Sequence, residues 1–308
     1  MSYTIHKDHS HYGWDNSLEP TLRLEPGATV TFETIDSSGG QLSPQSTVAD
    51  VATLDFAKVN PVTGPVFVEG AEPGDALKVF IKELRPSGWG WTANIPGFGL
   101  LAADFTEPYL KLWTLSGADT ASFLDSVNVP LKAFPGTIGV APAEPGHHSV
   151  VPPRACGGNM DVRDLGAGTT LYLPVQVAGA LFSVGDTHAA QGDGEVCGTA
   201  IESPMEITLG FEIVKGANLC APQFETPGPV TRHLDSKGYY VTTGVQPDLL
   251  GAAKDAVSAM VEHLGKTYGL SPEDAYLLSS VACDLRISEI VDVPNYLVSF
   301  YLPLSLFS

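Results

Sequence analysis

Apolar and polar residues alternate in short runs over most of the first 225 positions, and glycine or proline separates the runs. Alternation with a period of two is typical of strands that bury one face. The runs at 22–24 and 30–32 flank a turn at Glu25-Pro26-Gly27, which predicts a β-hairpin. A similar Pro-Gly turn precedes the run at 76–84, so the chain enters strands repeatedly in the same way.

The pattern changes near residue 230. Apolar residues at three- and four-residue spacing predict a helix over 247–267. A second helix is predicted to begin with Ser271 as its N-cap and Pro272 in its first turn. A final alternating run, 296–302, predicts a closing strand.

These patterns predict a mainly β fold that is α+β overall. A β-sandwich-like core over 1–225 is expected to carry the functional site, and a smaller α/β part over 226–308 is expected to pack on it as one compact unit. The 32 glycines and 24 prolines in 308 residues favour many turns and short strands.

Charge and hydropathy limit the partners. A net charge of −19 argues against binding to nucleic acid or to anionic membrane surfaces, because both are negatively charged and would repel an acidic protein. No run reaches 18 apolar residues and the first residues are polar, so neither a membrane span nor a signal peptide is expected. Four widely spaced cysteines without a C-x-x-C pair predict reduced thiols and a cytoplasmic protein.

The chemistry is concentrated in one Gly-rich stretch, Ser183–Glu202. Asp186 and His188 lie two positions apart, which places them on one face of an extended strand. Further polar residues follow around a glycine turn: Gln191, Asp193, Glu195 and Glu202. Such a set suits a divalent metal or a water-activating site. A surface hairpin with solvated acids is the alternative.

Three other segments carry candidate residues. Asp36 ends a strand before two glycines, where it is either a ligand carboxylate or the cap of a turn. Asn159 and Asp161 follow a Gly-Gly pair in a loop that is expected to meet the Ser183 stretch. The aromatic loop 87–101 is either a wall over a small-molecule pocket or a buried subunit interface. Its wall residues would be Trp89, Trp91, Phe98 and Leu100.

The sequence resembles the acetamidase/formamidase family. The resemblance rests on motifs in the same order along nearly the whole chain: His11-Tyr12-x-Trp14-Asp15, Asp36-x-x-Gly39-Gly40-Gln41, Gly157-Gly158-Asn159-Met160-Asp161, Leu173-Pro174-Val175, the run from Gly179 to Glu195, and Glu202. It implies hydrolysis of a short aliphatic amide to carboxylate and ammonia. It also implies a mainly β fold, a homodimer or higher homo-oligomer, and a divalent metal.

Spacing then suggests roles. Asp36, Asp186 and His188 are expected to hold the metal, with Asp161 as a further ligand. Glu195 is the expected general acid/base and Asp193 the other catalytic carboxylate. Asn159 and Gln191 would orient the amide, and Trp89 and Trp91 would wall the pocket. Imidazole with carboxylates suits zinc, although an oxygen-rich set leaves calcium or manganese open.

Two alternatives remain at this point. Cys156 or Cys197 is a candidate nucleophile in partnership with His188, although neighbouring carboxylates disfavour a thiolate. The second alternative is that the protein binds a small molecule on the same β scaffold without catalysing a reaction. The sequence does not separate formamide from acetamide as substrate, because one methyl group changes discrimination by only about 1–3 kcal/mol.

Overall fold

The computed structural model describes residues 2–117, 119–291 and 293–307. Its first strands are β1 (Ser2–Ile5), β2 (Ser10–His11), β3 (Gly13–Trp14), β4 (Leu22–Leu24), β5 (Thr29–Glu33), β6 (Val62–Val68), β7 (Ala76–Pro86), β8 (Trp89–Asn94), β9 (Tyr109–Thr114), β10 (Thr120–Leu124) and β11 (Val127–Pro130). The later strands are β12 (Phe134–Val140), β13 (His148–Ser149), β14 (Gly157–Asn159), β15 (Thr170–Pro174), β16 (Phe182–His188), β17 (Met205–Val214), β18 (Gln223–Glu225), β19 (Tyr239–Gln246), β20 (Asp284–Glu289) and β21 (Tyr296–Pro303). The helices are α1 (Val48–Val51), α2 (Leu249–Tyr268) and α3 (Pro272–Ala282), with short 3-10 turns at Phe56–Lys58, Asp235–Lys237 and Leu304–Leu306.

Two six-stranded sheets face each other. The first has the order β1-β5-β17-β7-β15-β18, and the second has the order β14-β12-β16-β6-β2 with β4 also paired to β6. Their inner faces share one hydrophobic core, in which the ring of Phe182 lies 5.7 Å from Phe32 and 5.0 Å from Phe211. Each such buried ring contributes roughly 1.5–3 kcal/mol. The predicted β-sandwich-like core is confirmed.

The hairpin predicted at 22–32 is wrong. β4 pairs in parallel with β6 in the second sheet, whereas β5 pairs with β1 and β17 in the first. The Pro26-Gly27 turn therefore carries the chain from one sheet to the other, and the Pro73-Gly74 turn does the same between β6 and β7. Alternation of apolar and polar residues indicates that a strand buries one face, but it does not identify the strand that pairs with it.

The C-terminal part matches its prediction closely. α2 has Asp248 as N-cap and ends at Gly269 in the left-handed region, and α3 has Ser271 as N-cap with Pro272 in its first turn. Both helices bury apolar faces in a second core, together with the three-stranded sheet β19-β21-β20 and with β9 to β11. The predicted helices and closing strand are confirmed. The division of the chain at residue 225 stays a prediction.

Two sequence-based expectations concern the whole chain. Among the described residues, no helix combines the length and the apolar character that crossing a membrane requires. All four cysteines lie within the described ranges and none is joined to another; Cys156, Cys197 and Cys283 are buried and Cys220 is exposed.

Candidate active site

Five ionisable side chains converge at the end of β16, and we call them the acidic cluster: Asp161, Asp186, His188, Glu195 and Glu202. β16 supplies two of them, and the glycine turn after it returns the chain so that Glu195 and Glu202 face the same point. The loop after β14 adds Asp161. The predicted meeting of the Gly-Gly loop with the Ser183 stretch is confirmed.

His188 lies at the centre of the acidic cluster. Its Nε2 atom is 3.1 Å from Asp186 Oδ1, 3.2 Å from Glu202 Oε2 and 4.0 Å from Glu195 Oε1. The imidazole is 1% exposed, and its ring centroid lies 5.1 Å from that of Phe134, with the two rings nearly perpendicular. The predicted common face of Asp186 and His188 thus brings the two side chains into contact.

Gln191 fixes the orientation and tautomer of His188. Its Nε2 donates to the Asp161 backbone carbonyl (2.8 Å), which turns its Oε1 toward His188 Nδ1 at 2.9 Å. Since Oε1 can only accept, Nδ1 carries the hydrogen and Nε2 faces the carboxylates. Such an outer hydrogen bond orients imidazole ligands of metals.

Asp186 is held by groups that the sequence analysis did not single out. Its Oδ2 accepts from Thr137 Oγ1 (3.1 Å) and from Asn60 Nδ2 (3.3 Å). Gly136 lies opposite on β12, and a Cβ there would come within 2.7–2.8 Å of Asp161 Oδ1, the His188 ring and the Asp186 carbonyl. A side chain at residue 136 would therefore push the acidic cluster apart.

Glu202 completes the acidic cluster, although the sequence analysis quoted it in the motif without giving it a role. Its Oε1 accepts from the Ala200 amide and its Oε2 from Ser37 Oγ, both at 2.8 Å. Its backbone bridges to both Trp91 and His188. Its position at the end of the polar stretch was the feature of the sequence that could have indicated a role. Its pairing with β8 is visible only in the tertiary fold.

The backbone is strained at three of the four carboxylates. Asp161, Asp186 and Glu195 have φ values of 49°, 49° and 42°, in the left-handed region that non-glycine residues rarely occupy. Each such residue costs on the order of 1 kcal/mol or more, and clusters of them are characteristic of functional sites.

The electrostatics show an excess of negative charge. Burial, aided by the Asp186 charge, raises the pKa of Asp161 to about 8. Burial and the Asp161 charge raise the pKa of Glu195 well above its usual range. Burial opposes protonation of His188, yet the charges of Glu202 and Asp186 raise its pKa well above normal. A cation among these carboxylates would relieve this repulsion.

The donor set fits a divalent metal. Asp161 Oδ1 is buried and lacks a hydrogen-bond partner within the described residues. Two subsets present one donor atom each within 4.8 Å of one another: Asp161, Asp186 and His188, and His188, Glu195 and Glu202. Carboxylate oxygens with one imidazole nitrogen are suitable ligands for zinc and manganese.

A cavity of about 90 Å³ opens onto the acidic cluster. Its buried lining is mostly polar and includes Asp186, Glu202 and Thr199, whereas its solvent-exposed lining is apolar and includes Phe56, Phe98 and Val151. One water needs ~10–15 Å³ of such space, so the cavity holds a molecule of a few heavy atoms.

Asp36 and Asp193 lie outside the acidic cluster. Asp36 is 1% exposed, and its Oδ1 accepts from Trp91 Nε1 (2.9 Å) and from the Ser38 amide and hydroxyl. Asp193 contacts the Arg163 guanidinium at 3.3 Å and its side chain is 44% exposed. The metal role of Asp36 and the catalytic role of Asp193 stay predictions.

Only some of the residues predicted to contact substrate line the cavity. Asn159 and Trp91 line the cavity; Asn159 Oδ1 lies 2.8 Å from Thr137 Oγ1, and Asn159 Nδ2 donates to the Val151 carbonyl. Trp89 lines a separate groove beside Asp36. Both ends of the Gln191 amide are already bonded within the site. The substrate roles of these residues stay predictions.

Neither candidate thiol is poised as a nucleophile. Burial raises the pKa of Cys197 to about 11, and its Sγ lies 3.4–3.6 Å from Ala93 and Thr199 oxygens. Burial also raises the pKa of Cys156. Protonated, enclosed thiols of this kind are inert.

Comparison with known proteins agrees with this geometry. The model of the Acetamidase/Formamidase family matches residues 2–149 and 146–308. The formamidase of Methylophilus methylotrophus is 29% identical over 96% of this chain and 89% of its own length. The acetamidase of Mycolicibacterium smegmatis is 26% identical over 87% of this chain and 84% of its own.

A solved structure, the gamma lactamase from Delftia acidovorans, superposes with a TM-score of 0.92 at 27% identity and covers 99% of this chain and 93% of its own. The family match spans the chain, and both named relatives hydrolyse amides. The protein therefore belongs to the acetamidase/formamidase family and is an amidohydrolase that acts on amide C–N bonds.

Proposed function

We propose that this protein hydrolyses a short aliphatic amide to the carboxylate and ammonia, with a divalent metal in the acidic cluster and Glu195 as general acid/base. The observation that carries the proposal is four carboxylates around one buried imidazole beneath a cavity of about 90 Å³. The relatives named formamidase and acetamidase support short amides as the substrate class.

Asp161, Asp186 and His188 Nε2 would hold the metal, with Glu202 beside them. When bound, a divalent metal polarises a carbonyl oxygen and lowers the pKa of water. Zinc suits this set, and manganese or calcium is the alternative where oxygen donors predominate. Gln191, Thr137 and Ser37 keep these side chains in place through the hydrogen bonds described above.

Glu195 is better placed than Asp186 and Glu202 to move protons. Its side chain is 19% exposed and lines the cavity, whereas those of Asp186 and Glu202 are 4% and 3% exposed. It would take one proton from the attacking water as the C–O bond forms, and return it to the amide nitrogen as the C–N bond breaks. Its raised pKa suits a group that both accepts and returns a proton.

The test is ammonia release from formamide and acetamide, with and without a chelator. We expect release that stops after chelation and returns when zinc or manganese is added back. Turnover that survives complete removal of metal would contradict the metal role, and no ammonia from any short amide would contradict the substrate class.

The gamma lactamase likeness supports a second candidate, the hydrolysis of a small cyclic amide, because its TM-score of 0.92 indicates a very similar fold. The bond broken is again an amide C–N bond. A γ-lactam assayed beside acetamide distinguishes the two, since ring opening yields an amino acid and no ammonia.

A homodimer or higher oligomer and a cytoplasmic location are part of the same proposal. Light scattering of the purified protein tests the first, and cell fractionation tests the second.

A further inference from the structure

Two exposed aromatic rings stack on each other beside the cavity that opens onto the acidic cluster. Phe56 and Phe98 have ring centroids 5.2 Å apart and an interplanar angle of 16°. They are 48% and 41% exposed, and both line the cavity. Single exposed aromatic rings are ordinary. A stacked pair over a reactive cluster is a feature that the chemistry of the acidic cluster does not explain.

The segment that carries Phe98 is anchored behind its ring. The Leu100 amide donates to the Val196 carbonyl at 2.8 Å. Gly99 has a φ of 88°, and a Cβ there would lie 2.7 Å from the Cys197 carbonyl oxygen. The chain thus leaves the Phe98 turn by a close passage that only glycine allows.

The segment that carries Phe56 is anchored independently. The Asp55 side chain accepts from the Ala57 amide at 3.0 Å and caps the short 3-10 turn. The Asp55 amide donates to Gln41 Oε1 at 2.8 Å. Two segments held by separate hydrogen bonds therefore present one ring each.

The cavity lining sets the direction in which an amide would bind. Polar groups are buried at its base, and apolar side chains reach solvent at its mouth. The carboxamide of a substrate would therefore face Asp186 and Glu195, because an unpaired polar group against an apolar wall is costly. The acyl carbon chain would then point toward Phe56 and Phe98.

We infer that the stacked Phe56–Phe98 pair covers the acyl group of the substrate and is the specificity-determining element that restricts it to short aliphatic chains. The inference rests on the proposed amide hydrolysis. Acetamide and propionamide would fit beneath the rings, whereas pentanamide would have to part them. Formamide, which has no acyl carbon beyond the carbonyl, would not contact them.

The test measures kcat and KM for formamide, acetamide, propionamide and pentanamide in the wild type, Phe56→Ala, Phe98→Ala and Phe98→Trp. Phe224→Ala is the matched control, since Phe224 is 42% exposed on the edge strand β18 and lines a different groove. Light scattering and a melting curve accompany each variant.

We expect either alanine variant to raise the pentanamide-to-acetamide ratio of kcat/KM by about 10-fold or more, within the ~10–200-fold that one methylene of fit is worth. Its kcat/KM for formamide should change by a smaller factor than its kcat/KM for pentanamide. Phe98→Trp should shift selectivity the other way and lower the propionamide-to-formamide ratio. Phe224→Ala should change neither ratio.

The outcomes separate the two proposals. Wild-type turnover of amides with ratios unmoved in all three ring variants overturns this inference and leaves amide hydrolysis standing. Unmoved ratios with a changed oligomeric state would place the rings at a subunit interface and also overturn it. A wild type that hydrolyses no amide overturns both. Should one alanine variant fail to fold, the other ring and Phe98→Trp still decide the question.

Discussion

Two groups of charges lie close together in this protein, each around a buried residue, and their charge balance differs. The acidic cluster sets four carboxylates around one imidazole. A second group, which we call the arginine network, joins Arg163, Arg286, Asp193 and Asp284. There the Arg163 guanidinium pairs with both oxygens of Asp284, and two cations match two carboxylates. Both groups are fixed by the chain segment 191–195.

The difference shows how to tell structural charges from functional ones. A buried charge is tolerated when a partner neutralises it, as in the arginine network. In the acidic cluster a single imidazole faces four carboxylates, and Asp161 Oδ1 has no hydrogen-bond partner within the described residues. Unbalanced in charge, strained and facing a cavity, the acidic cluster has features that are characteristic of functional sites.

The largest effect is expected at Glu195. Glu195→Gln removes the proton carrier without changing the shape of the side chain, so kcat should fall by roughly 10²–10⁴-fold while bound metal is retained. Asp193→Asn, two residues away in the arginine network, is the matched control and should keep kcat within about tenfold. The reverse pattern in steady-state kinetics would make Asp193 the general base.

Breaking the arginine network should lower the stability of the fold more than it lowers catalytic activity. Arg163→Met leaves Asp284, which is 0% exposed, without its bidentate partner, and the free energy of unfolding should drop by about 3–5 kcal/mol. Urea denaturation measures it. The double variant Arg163→Met/Asp284→Leu should recover part of the loss; if it is no more stable than the single variant, an unpaired Asp284 charge is not the cause.

Without metal, the acidic cluster should make folding stability depend on pH. The pKa of Asp161 is raised to about 8, so the folded metal-free chain binds a proton that the unfolded chain has lost above pH 4. Folding stability should therefore fall as pH rises from about 4 to 8, by up to ~1.4 kcal/mol per pH unit. Asp161→Asn should make this slope shallower in chelator-treated protein, while the raised pKa of Glu195 leaves a remaining slope of the same sign. A slope unchanged in that variant would mean that Asp161 is ionised throughout.

The smallest effect is expected from the thiols. Iodoacetamide at neutral pH should label the exposed Cys220 and leave buried Cys197, whose pKa is raised to about 11, unmodified. Activity should be unchanged after labelling, as mass spectrometry and an ammonia assay would show together. Inactivation that accompanies labelling of Cys197 would restore the thiol mechanism.

Local rules predicted the two long helices and several strands of this fold, but not every element and not all neighbours. The segment 87–101 was interpreted as a loop, whereas Trp89–Asn94 forms β8. Periodicity and capping residues located α2, α3 and β21, because those signals are local. The strand pairings at 22–32 were missed, because the turn at Pro26-Gly27 crosses between sheets. For the site, spacing brought Asp186 and His188 together and the glycine turn returned Glu195. Spacing could not show that Thr137 faces them from β12 and Glu202 from an isolated bridge, or that Gly136 leaves the room they occupy.

We propose that the acidic cluster binds one divalent cation through His188. Elemental analysis of purified wild type, His188→Ala and Arg163→Met tests it directly. We expect about one divalent metal per wild-type chain, a near-complete loss in His188→Ala together with activity, and retention in the folded fraction of Arg163→Met. Wild-type protein that is fully active with far less than one metal per chain, or His188→Ala that keeps its metal, would contradict the claim.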